Sequence, residues 1–255
     1  MKDHAAELDV RCVRAGNPGA LTLSGTNTWL LGRDPVWVID PGPAIDAHVE
    51  AVVAAVAERG GAGGIAITHD HSDHVEAVPA LRDRLGFPLV AAARYSGADV
   101  TLSDGDSFGP LQVIATGGHA PDHLAFVAGR TCFSGDTVLG EGSVFIAPDP
   151  GAMAAYLASL RRLRALDLKR ICPGHGPIIA APSDKLDEYV AHRLERERRL
   201  VAALDAGRRS RSELLDAAWS DVPRALRGAA GVTLAAHLDK LEDEGRLPAG
   251  VQSRR

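Results

Sequence analysis

Short apolar runs alternate with helix-like segments along the first half of the chain. The runs at 27–31 and 36–39 flank a Gly-Arg-Asp-Pro turn signal and predict a β-hairpin. Residues 46–58 carry apolar side chains at helical spacing, with Asp46 as the expected N-cap. Strands mixed with helices predict a layered α/β architecture. The same patterns predict strands at 65–68, 88–93, 111–116, 124–128, 131–134 and 170–172, and helices at 75–85 and 151–166.

The character of the chain changes after Pro182. Residues 184–205 predict a long charged helix, which Gly207 ends. We therefore predict a catalytic domain over residues 1–183, followed by a linker helix and a small C-terminal unit over residues 184–255.

The C-terminal unit contains three predicted short helices. The first begins with a capping box formed by Ser210 and Glu213. The others span 223–230 and 233–245, with Gly245 as the C-cap of the last. About fifty residues bury little apolar surface by themselves, so we expect this unit to dock on the main domain.

Composition narrows the class of protein and its expected location. Hydrophobic residues make up 45% and charged residues 24% of the 255, the balance of a globular protein outside the membrane. The N-terminal residues are charged where a signal peptide needs an apolar core, and no apolar run is long enough to span a bilayer. Three separated cysteines exclude a disulfide scaffold and suit a reducing compartment. We expect a cytoplasmic protein without a membrane partner, either a monomer or a homodimer.

Histidine and aspartate are concentrated in one segment, Thr-His-Asp-His-Ser-Asp-His, directly after a predicted strand. It offers four candidate metal ligands, His69, His71, Asp73 and His74. A loop at a strand end lets such side chains converge on one point. Imidazole suits zinc, and a neighbouring carboxylate suits zinc, iron or manganese.

Three other predicted strands end in a glycine next to a candidate ligand. These ligands are His119 in Gly-Gly-His, Asp136 in Ser-Gly-Asp, and His175 in Pro-Gly-His-Gly. Glycine lets the backbone approach a crowded centre. Each motif alone is also typical of an ordinary turn, but their occurrence together with the His-Asp segment favours one shared metal site.

The order HxHxDH, GxH, SGD and PGHG resembles the metallo-β-lactamase superfamily over about residues 10–182. The resemblance implies an αββα sandwich with two metal ions at one edge of the sheets. It also implies roles for the candidate residues. His69, His71 and His119 would hold one ion, Asp73, His74 and His175 the second, and Asp136 would bridge them, with Asp40 supporting the ligands. His123, four residues after His119, is a further possible ligand, but the set is already complete, so we expect it to support the ligands.

Such a centre predicts metal-dependent hydrolysis. Two cations lower the pKa of a bridging water from 15.7 toward about 7, which makes hydroxide the nucleophile. The metals also stabilise the charge that develops on the substrate oxygen. Asp73 and Asp136 are the expected catalytic carboxylates. We expect two divalent ions, zinc above all, with iron or manganese as alternatives.

Two further segments resemble the beta-lactamase-like-protein-two branch of this superfamily. They are the run at 22–32 and the Tyr-Val-Ala-His-Arg run at 189–193, and the tail is similar to the branch's winged-helix-like unit. Members of the branch include an endoribonuclease acting on single-stranded RNA and thioesterases of polyketide assembly. The resemblance therefore implies single-stranded RNA or a small ester, thioester or lactone as substrate.

Charge distribution bears on the RNA alternative. Residues 192–255 contain 13 basic and 10 acidic residues, whereas the rest of the chain contains 15 and 23. A basic end suits phosphate contacts, and Arg209 and Arg211 are the candidates. However, the charges at 193–199 alternate as on a solvated helix, and aromatic residues make up only 4%. An iron dioxygenase with a single metal and a non-catalytic nucleic-acid-binding protein are further alternatives, and the complete ligand set argues against both.

Overall fold

Two facing β-sheets form the centre of the molecule, in a computed structural model that describes residues 8–253. Within that range the first sheet has six strands in chain order, β1 (Val10–Arg14), β2 (Asn27–Leu31), β3 (Val36–Ile39), β4 (Ala62–Ala66), β5 (Val90–Ala92) and β6 (Val100–Thr101). The second sheet has five strands, which also follow one another in chain order. They are β7 (Ser107–Phe108), β8 (Leu111–Ala115), β9 (Leu124–Ala128), β10 (Thr131–Gly135) and β11 (Arg170–Pro173). The charged N-terminal segment at 1–7 lies outside the described residues.

Helices cover the outer faces of both sheets and form the C-terminal unit. They are α1 (Asp46–Ala57), α2 (Ser72–Val75), α3 (Val78–Arg84), α4 (Ala152–Arg164), α5 (Pro182–Asp205), α6 (Arg211–Ala218) and α7 (Arg227–Asp243). In the described part of the chain, none of these is long and apolar enough to cross a membrane.

Three apolar cores hold the layers together, and they confirm the predicted αββα sandwich. Val52 and Val56 of α1 pack on the outer face of the first sheet. Leu31 and Phe126 belong to the core between the sheets. Tyr156 of α4, with other side chains of α4 and α5, packs on the outer face of the second sheet.

Local predictions were met in part. The hairpin of β2 and β3 is confirmed by their antiparallel pairing. The N-cap prediction for Asp46 is wrong, because Ile45 is the extended residue that precedes α1 and Asp46 lies in its first turn. The helix predicted over 75–85 is confirmed as α3, which begins three residues later, at Val78, because the separate helix α2 ends at Val75.

The C-terminal unit differs from the prediction in its last two helices. Ser210 and Glu213 form the expected capping box of α6. The two helices predicted at 223–230 and 233–245 are instead a short 3-10 turn, Arg224–Leu226, followed directly by the continuous α7. Ala230 and Leu234 of α7 are buried in the core of this unit. The same helix contains Gly228 and Gly231, and a glycine inside a helix costs about 1 kcal/mol, which the packing of Ala230 and Leu234 offsets.

The C-terminal unit docks on the main domain through hydrogen bonds as well as apolar contacts. The backbone N–H of Ile146 donates to Thr233 Oγ1 over 3.2 Å, and that of Gly151 donates to a carboxylate oxygen of Asp239 over 3.0 Å. Both acceptors belong to α7. The segment between β10 and α4 is thereby held against the C-terminal unit.

The expectation of a solvated charged face at 193–199 is wrong for three residues of α5. Arg193, Arg196 and Glu197 are buried. They follow Leu186 and Tyr189 at intervals of three and four residues, so helical geometry places them all on the buried face. The alternation of charges along the sequence concealed this helical stripe.

His237 of α7 is fully buried, and neither of its ring nitrogens has a hydrogen-bond partner among the described residues. Burial, with the nearby cations Arg193 and Lys240, lowers its pKa to about 3. The unfolded side chain titrates near pKa 6.5, so the folded chain binds fewer protons as the pH falls below that value. We expect His237 to cost the metal-free protein about 2 kcal/mol of stability between pH 7 and pH 5.

Urea unfolding of metal-free His237→Leu at both pH values tests this expectation. The variant should lose about 2 kcal/mol less than the wild type on acidification. It should also be more stable at pH 7, by about 1–3 kcal/mol, because leucine leaves no buried polar atom unpaired. An equal loss in both proteins would mean that His237 has the same pKa in the folded and the unfolded state, which would contradict the expectation.

Candidate metal centre

The seven candidate ligands lie at one edge of the sandwich. Two lie on the loop after β4 and two in the short helix α2 that follows it, while the β8–β9 connection carries one and the ends of β10 and β11 carry one each. The structure brings together all the residues that the sequence singles out as ligands, namely His69, His71, Asp73, His74, His119, Asp136 and His175.

The first group of possible ligand atoms consists of three imidazoles. The Nε2 atom of His69 lies 3.0 Å from Nδ1 of His71, and Nε2 of His119 lies 3.2 Å from the same Nδ1. Two ligands bound at 2.0–2.1 Å to a tetrahedral zinc lie roughly 3.3 Å apart. The three nitrogens are therefore spaced as ligands of one ion would be.

The second group combines Asp73, His74 and His175. The Nε2 atom of His175 lies 3.3 Å from Oδ2 of Asp73, and Nε2 of His74 lies 3.6 Å from the same oxygen. Asp136 stands between the two groups. Its Oδ2 is 3.7 Å from Nε2 of His119 in the first group and 3.4 Å from Nε2 of His175 in the second. This position suits a carboxylate that bridges two ions.

Unsatisfied atoms indicate that the cluster fits metal ions. Nε2 of His74 and Oδ1 of Asp136 are buried and have no hydrogen-bond partner among the described residues. They lie 3.6 Å apart, within a group that could share an ion. Buried polar atoms are costly to leave unpaired. A cation between them would satisfy both.

The opposite ring nitrogens are held by the protein. Nδ1 of His74 lies 2.9 Å from Oδ2 of Asp40, and Nδ1 of His119 lies 3.1 Å from the carbonyl oxygen of Phe145. Nδ1 of His175 lies 3.4 Å from the carbonyl oxygen of Gly25. Metal-binding histidines usually donate their other N–H in this way, which leaves Nε2 free for the ion.

Asp40 positions residues of the centre through hydrogen bonds to Thr68 and His74. Its two carboxylate oxygens accept from the backbone N–H and the hydroxyl of Thr68, both over 2.8 Å, besides contacting His74. The residue is buried and has a φ of +51°, a left-handed conformation that aspartate tolerates better than most residues. The structure therefore places Asp40 beside a candidate ligand rather than among the candidate ligands.

His123 also lies next to the candidate ligands rather than among them. Its Nε2 accepts from the backbone N–H of Asp136 over 3.1 Å, and its Nδ1 lies 2.8 Å from the hydroxyl of Thr116. Burial, with the neighbouring His119, holds its pKa well below the usual value, so the ring is neutral. His123 thereby fixes the loop that carries Asp136.

The glycines predicted to permit close approach do so at two positions. A Cβ on Gly135, whose φ is +46°, would lie 2.4 Å from the hydroxyl oxygen of Thr68. A Cβ on Gly174 would lie 2.4 Å from Oδ1 of Asp136. Either contact would displace atoms that build the cluster.

The charges of the cluster are strongly coupled. Burial acts to raise the pKa of Asp73, but the hydrogen bond from His175 and the charge of His74 outweigh burial and lower this pKa to about 2. Burial lowers the pKa of His175, but contacts with Asp136 and Asp73 raise it to about 9. The carboxylates therefore remain ionised at neutral pH, as metal ligands must be.

Two residues that the sequence did not single out complete the site. The hydroxyl of Thr26 donates to Oδ2 of Asp73 over 2.9 Å. The amide of Asn27 donates to the carbonyls of Pro173 and Gly176, on either side of His175. Both lie in the run at 22–32, which resembles the beta-lactamase-like-protein-two branch. That resemblance is the sequence signal that marks them, but it does not show which residues of the site they contact.

A cavity of about 600 Å³ opens on the cluster and extends between the main domain and the C-terminal unit. Its exposed lining is mostly apolar. The cluster contributes His71, Asp73, His119, Asp136 and His175 to its wall, and apolar side chains from both units contribute Leu21, Leu23, Val144, Phe145, Trp219, Val222 and Leu226. The candidate metal centre therefore faces a space suited to an apolar group.

Three successive residues link the cluster to the C-terminal helices. The carbonyl of Val144 accepts from the guanidinium of Arg193 on α5, and that of Phe145 faces Nδ1 of His119. The N–H of Ile146 donates to Thr233 on α7. The wall of the cavity is thus held by the candidate ligands and the C-terminal unit together.

Two protein families match parts of the chain. The metallo-beta-lactamase superfamily matches residues 96–175, which include His119, Asp136 and His175. The beta-lactamase associated winged helix domain matches residues 210–248, from the capping box of α6 to beyond α7. The winged-helix character predicted for the C-terminal unit is thereby confirmed.

Curated relatives match most of the chain. The beta-lactamase-like protein 2 homologue of Caenorhabditis elegans is 33% identical over 247 residues, which cover 90% of this chain and 82% of that protein. The homologue of Drosophila melanogaster is 30% identical over 262 residues, covering 91% and 87%. The atrochrysone carboxyl ACP thioesterase of Aspergillus chevalieri is 34% identical over 209 residues, covering 77% and 66%.

Solved structures share the fold. A metallo-beta-lactamase family protein from Thermus thermophilus aligns with a TM-score of 0.75 at 24% identity, covering 92% of this chain and 94% of that one. A protein solved in a di-iron-bound form aligns with a TM-score of 0.54 at 29% identity, covering 68% and 96%. The chain belongs to the metallo-beta-lactamase superfamily, whose fold is typically that of a metal-dependent hydrolase. Within that superfamily, its similarity over most of both chains is to the beta-lactamase-like protein 2 homologues.

Proposed function

We propose that the protein hydrolyses thioesters or esters of acyl groups with an apolar body, using two divalent ions. The observation that carries this proposal is the mostly apolar cavity of about 600 Å³ that opens on the ligand cluster. The similarity to a thioesterase over 77% of the chain supports it. His69, His71 and His119 would hold one ion, Asp73, His74 and His175 the other, and Asp136 would contact both.

The reaction adds water across the acyl bond. The water oxygen forms the new bond to the acyl carbon, the bond from carbon to sulfur or oxygen breaks, and the leaving group departs with a proton. Bound ions would activate the water and stabilise the negative charge that develops on the carbonyl oxygen. Asp73, which borders the cavity and is held by Thr26, orients the water and accepts its proton.

The cavity favours this substrate class over RNA, the other substrate that the sequence suggests. In the described part of the chain, the arginines that line the cavity are Arg193 and Arg196, and both are buried. Arg209 and Arg211, the candidate phosphate contacts, donate to backbone carbonyls and do not border the cavity. A strand of RNA would need exposed cations along its path.

A paired assay tests the proposal. Protein loaded with zinc, iron or manganese is incubated with a panel of acyl thioesters and, separately, with single-stranded RNA. We expect thioester hydrolysis that a chelator abolishes and that His69→Ala lowers by at least about 10³-fold, the loss of several kcal/mol of charge stabilisation. RNA cleavage without thioester cleavage would overturn the proposal, provided that His69→Ala abolishes it as well.

A further inference from the structure

Arg193 is a buried cation without a counter-ion. Its side chain is 2% exposed, and it donates to the neutral carbonyl of Val144. It also lies over the ring of Tyr156, with its central carbon 5.3 Å from the ring centroid. In residues 8–253 no carboxylate forms an ion pair with it, and its Nε has no hydrogen-bond partner. Buried charges are normally paired, because an unpaired one is costly.

The other buried charges of the same helix face are paired. Arg196 donates to both carboxylate oxygens of Asp221, over 2.5 and 2.9 Å. Glu197 accepts from Lys240 over 2.8 Å and from Arg246 over 3.0 Å. The missing partner of Arg193 is therefore a local exception and not a general property of α5.

His192, the neighbouring residue, offers a second unpaired donor. Its Nε2 accepts from Nε of Arg196 over 3.3 Å. Burial, with the charges of Arg193 and Arg196, lowers its pKa to about 4, so the ring is neutral and its proton lies on Nδ1. That Nδ1 is buried and unpartnered in the described structure.

Both residues line the cavity that opens on the candidate ligands. We propose that Arg193 and His192 form an anion subsite in this cavity, which receives a carboxylate on the acyl group of the substrate, remote from the scissile bond. This inference rests on the proposed function, because it names the substrate class of the same cavity. The substrate is then an acyl thioester or ester with an apolar body and a second acidic group.

A pair of matched substrates tests the subsite. One is an acyl thioester that ends in a carboxylate, and the other ends in the corresponding amide, each in a series of chain lengths. For the chain length that fits best, we expect the wild type to favour the carboxylate by roughly 10- to 100-fold in kcat/KM, mainly through KM. Arg193→Gln should abolish this preference, and Arg193→Lys should retain part of it.

The control variant is Arg198→Gln, which removes an exposed cation from the same helix and should leave the preference unchanged. If Arg193 served only to hold Val144, Arg193→Gln would slow both substrates equally and keep their ratio. That result, or a wild type with no preference at any chain length, would overturn the subsite.

A binding measurement separates this inference from the proposed function. Calorimetry with the metal-free protein uses the free dicarboxylate and, as a second probe, a mononucleotide. We expect the dicarboxylate to bind to the wild type and at least about 10-fold more weakly to Arg193→Gln. Such binding without any thioester hydrolysis would leave the subsite standing while the proposed function fails. Equal binding to both proteins, or Arg193-dependent binding of the mononucleotide alone, would overturn the subsite.

Discussion

Replacing Asp136 by asparagine should lower hydrolysis by at least about 10³-fold, the equivalent of several kcal/mol of lost charge stabilisation. The carboxylate lies between the two groups of ligands, within 3.7 Å of Nε2 of His74, His119 and His175. An amide keeps the shape of the side chain but removes the negative charge that two cations would share. We expect the metal content and the thioester turnover of this variant, measured on the same preparation, to fall together.

Asp70→Asn is the matched control, since Asp70 lies between the candidate ligands His69 and His71 but is exposed and outside the cluster. We expect it to keep its metal and its activity. If Asp136→Asn were as active as Asp70→Asn, Asp136 would not bridge the metals.

Asp40→Ala should have the largest effect on stability. It removes three hydrogen bonds, two from Thr68 and one from His74, and leaves their donors buried. Alanine is also less suited than aspartate to a φ of +51°. We expect the metal-free protein to lose about 3–5 kcal/mol of unfolding free energy, measured in urea, and the metal affinity to fall by roughly 10- to 100-fold.

Asp40→Asn separates the two effects. Asparagine tolerates the left-handed conformation, and its single side-chain oxygen can accept one of the two hydrogen bonds from Thr68, so part of the stability should return. The charge that orients His74 is still lost, so metal affinity, measured by competition with a chelator, should stay low. Wild-type metal affinity in both variants would show that Asp40 has no influence on the ligands.

The sequence predicted the cluster well because each ligand motif ends a strand, and strand ends meet at one edge of the sandwich. The four layers followed from the resemblance as well as from the apolar pattern. By contrast, β6 and β7 have two residues each, too few to show any periodicity. The contacts of Thr26 and Asn27 with the cluster join distant parts of the chain, which local patterns do not report.

The C-terminal unit was harder to predict because tertiary packing overrides local preference there. Gly228 and Gly231 are poor helix formers, yet α7 continues through them, because Ala230 and Leu234 of the same helix are buried. The burial of Arg193 was concealed by its charge, although its spacing from Tyr189 placed it on the buried face. A charged residue at a buried position of the helix is the observation from which we infer the anion subsite.

The number of divalent ions per chain tests the central claim most directly. Elemental analysis of reconstituted, desalted protein should give close to two ions per chain for the wild type. It should give fewer than two for Asp136→Asn, while Asp70→Asn should match the wild type. One ion per chain or none in the wild type, under conditions in which it hydrolyses its substrate, would contradict a two-metal hydrolase.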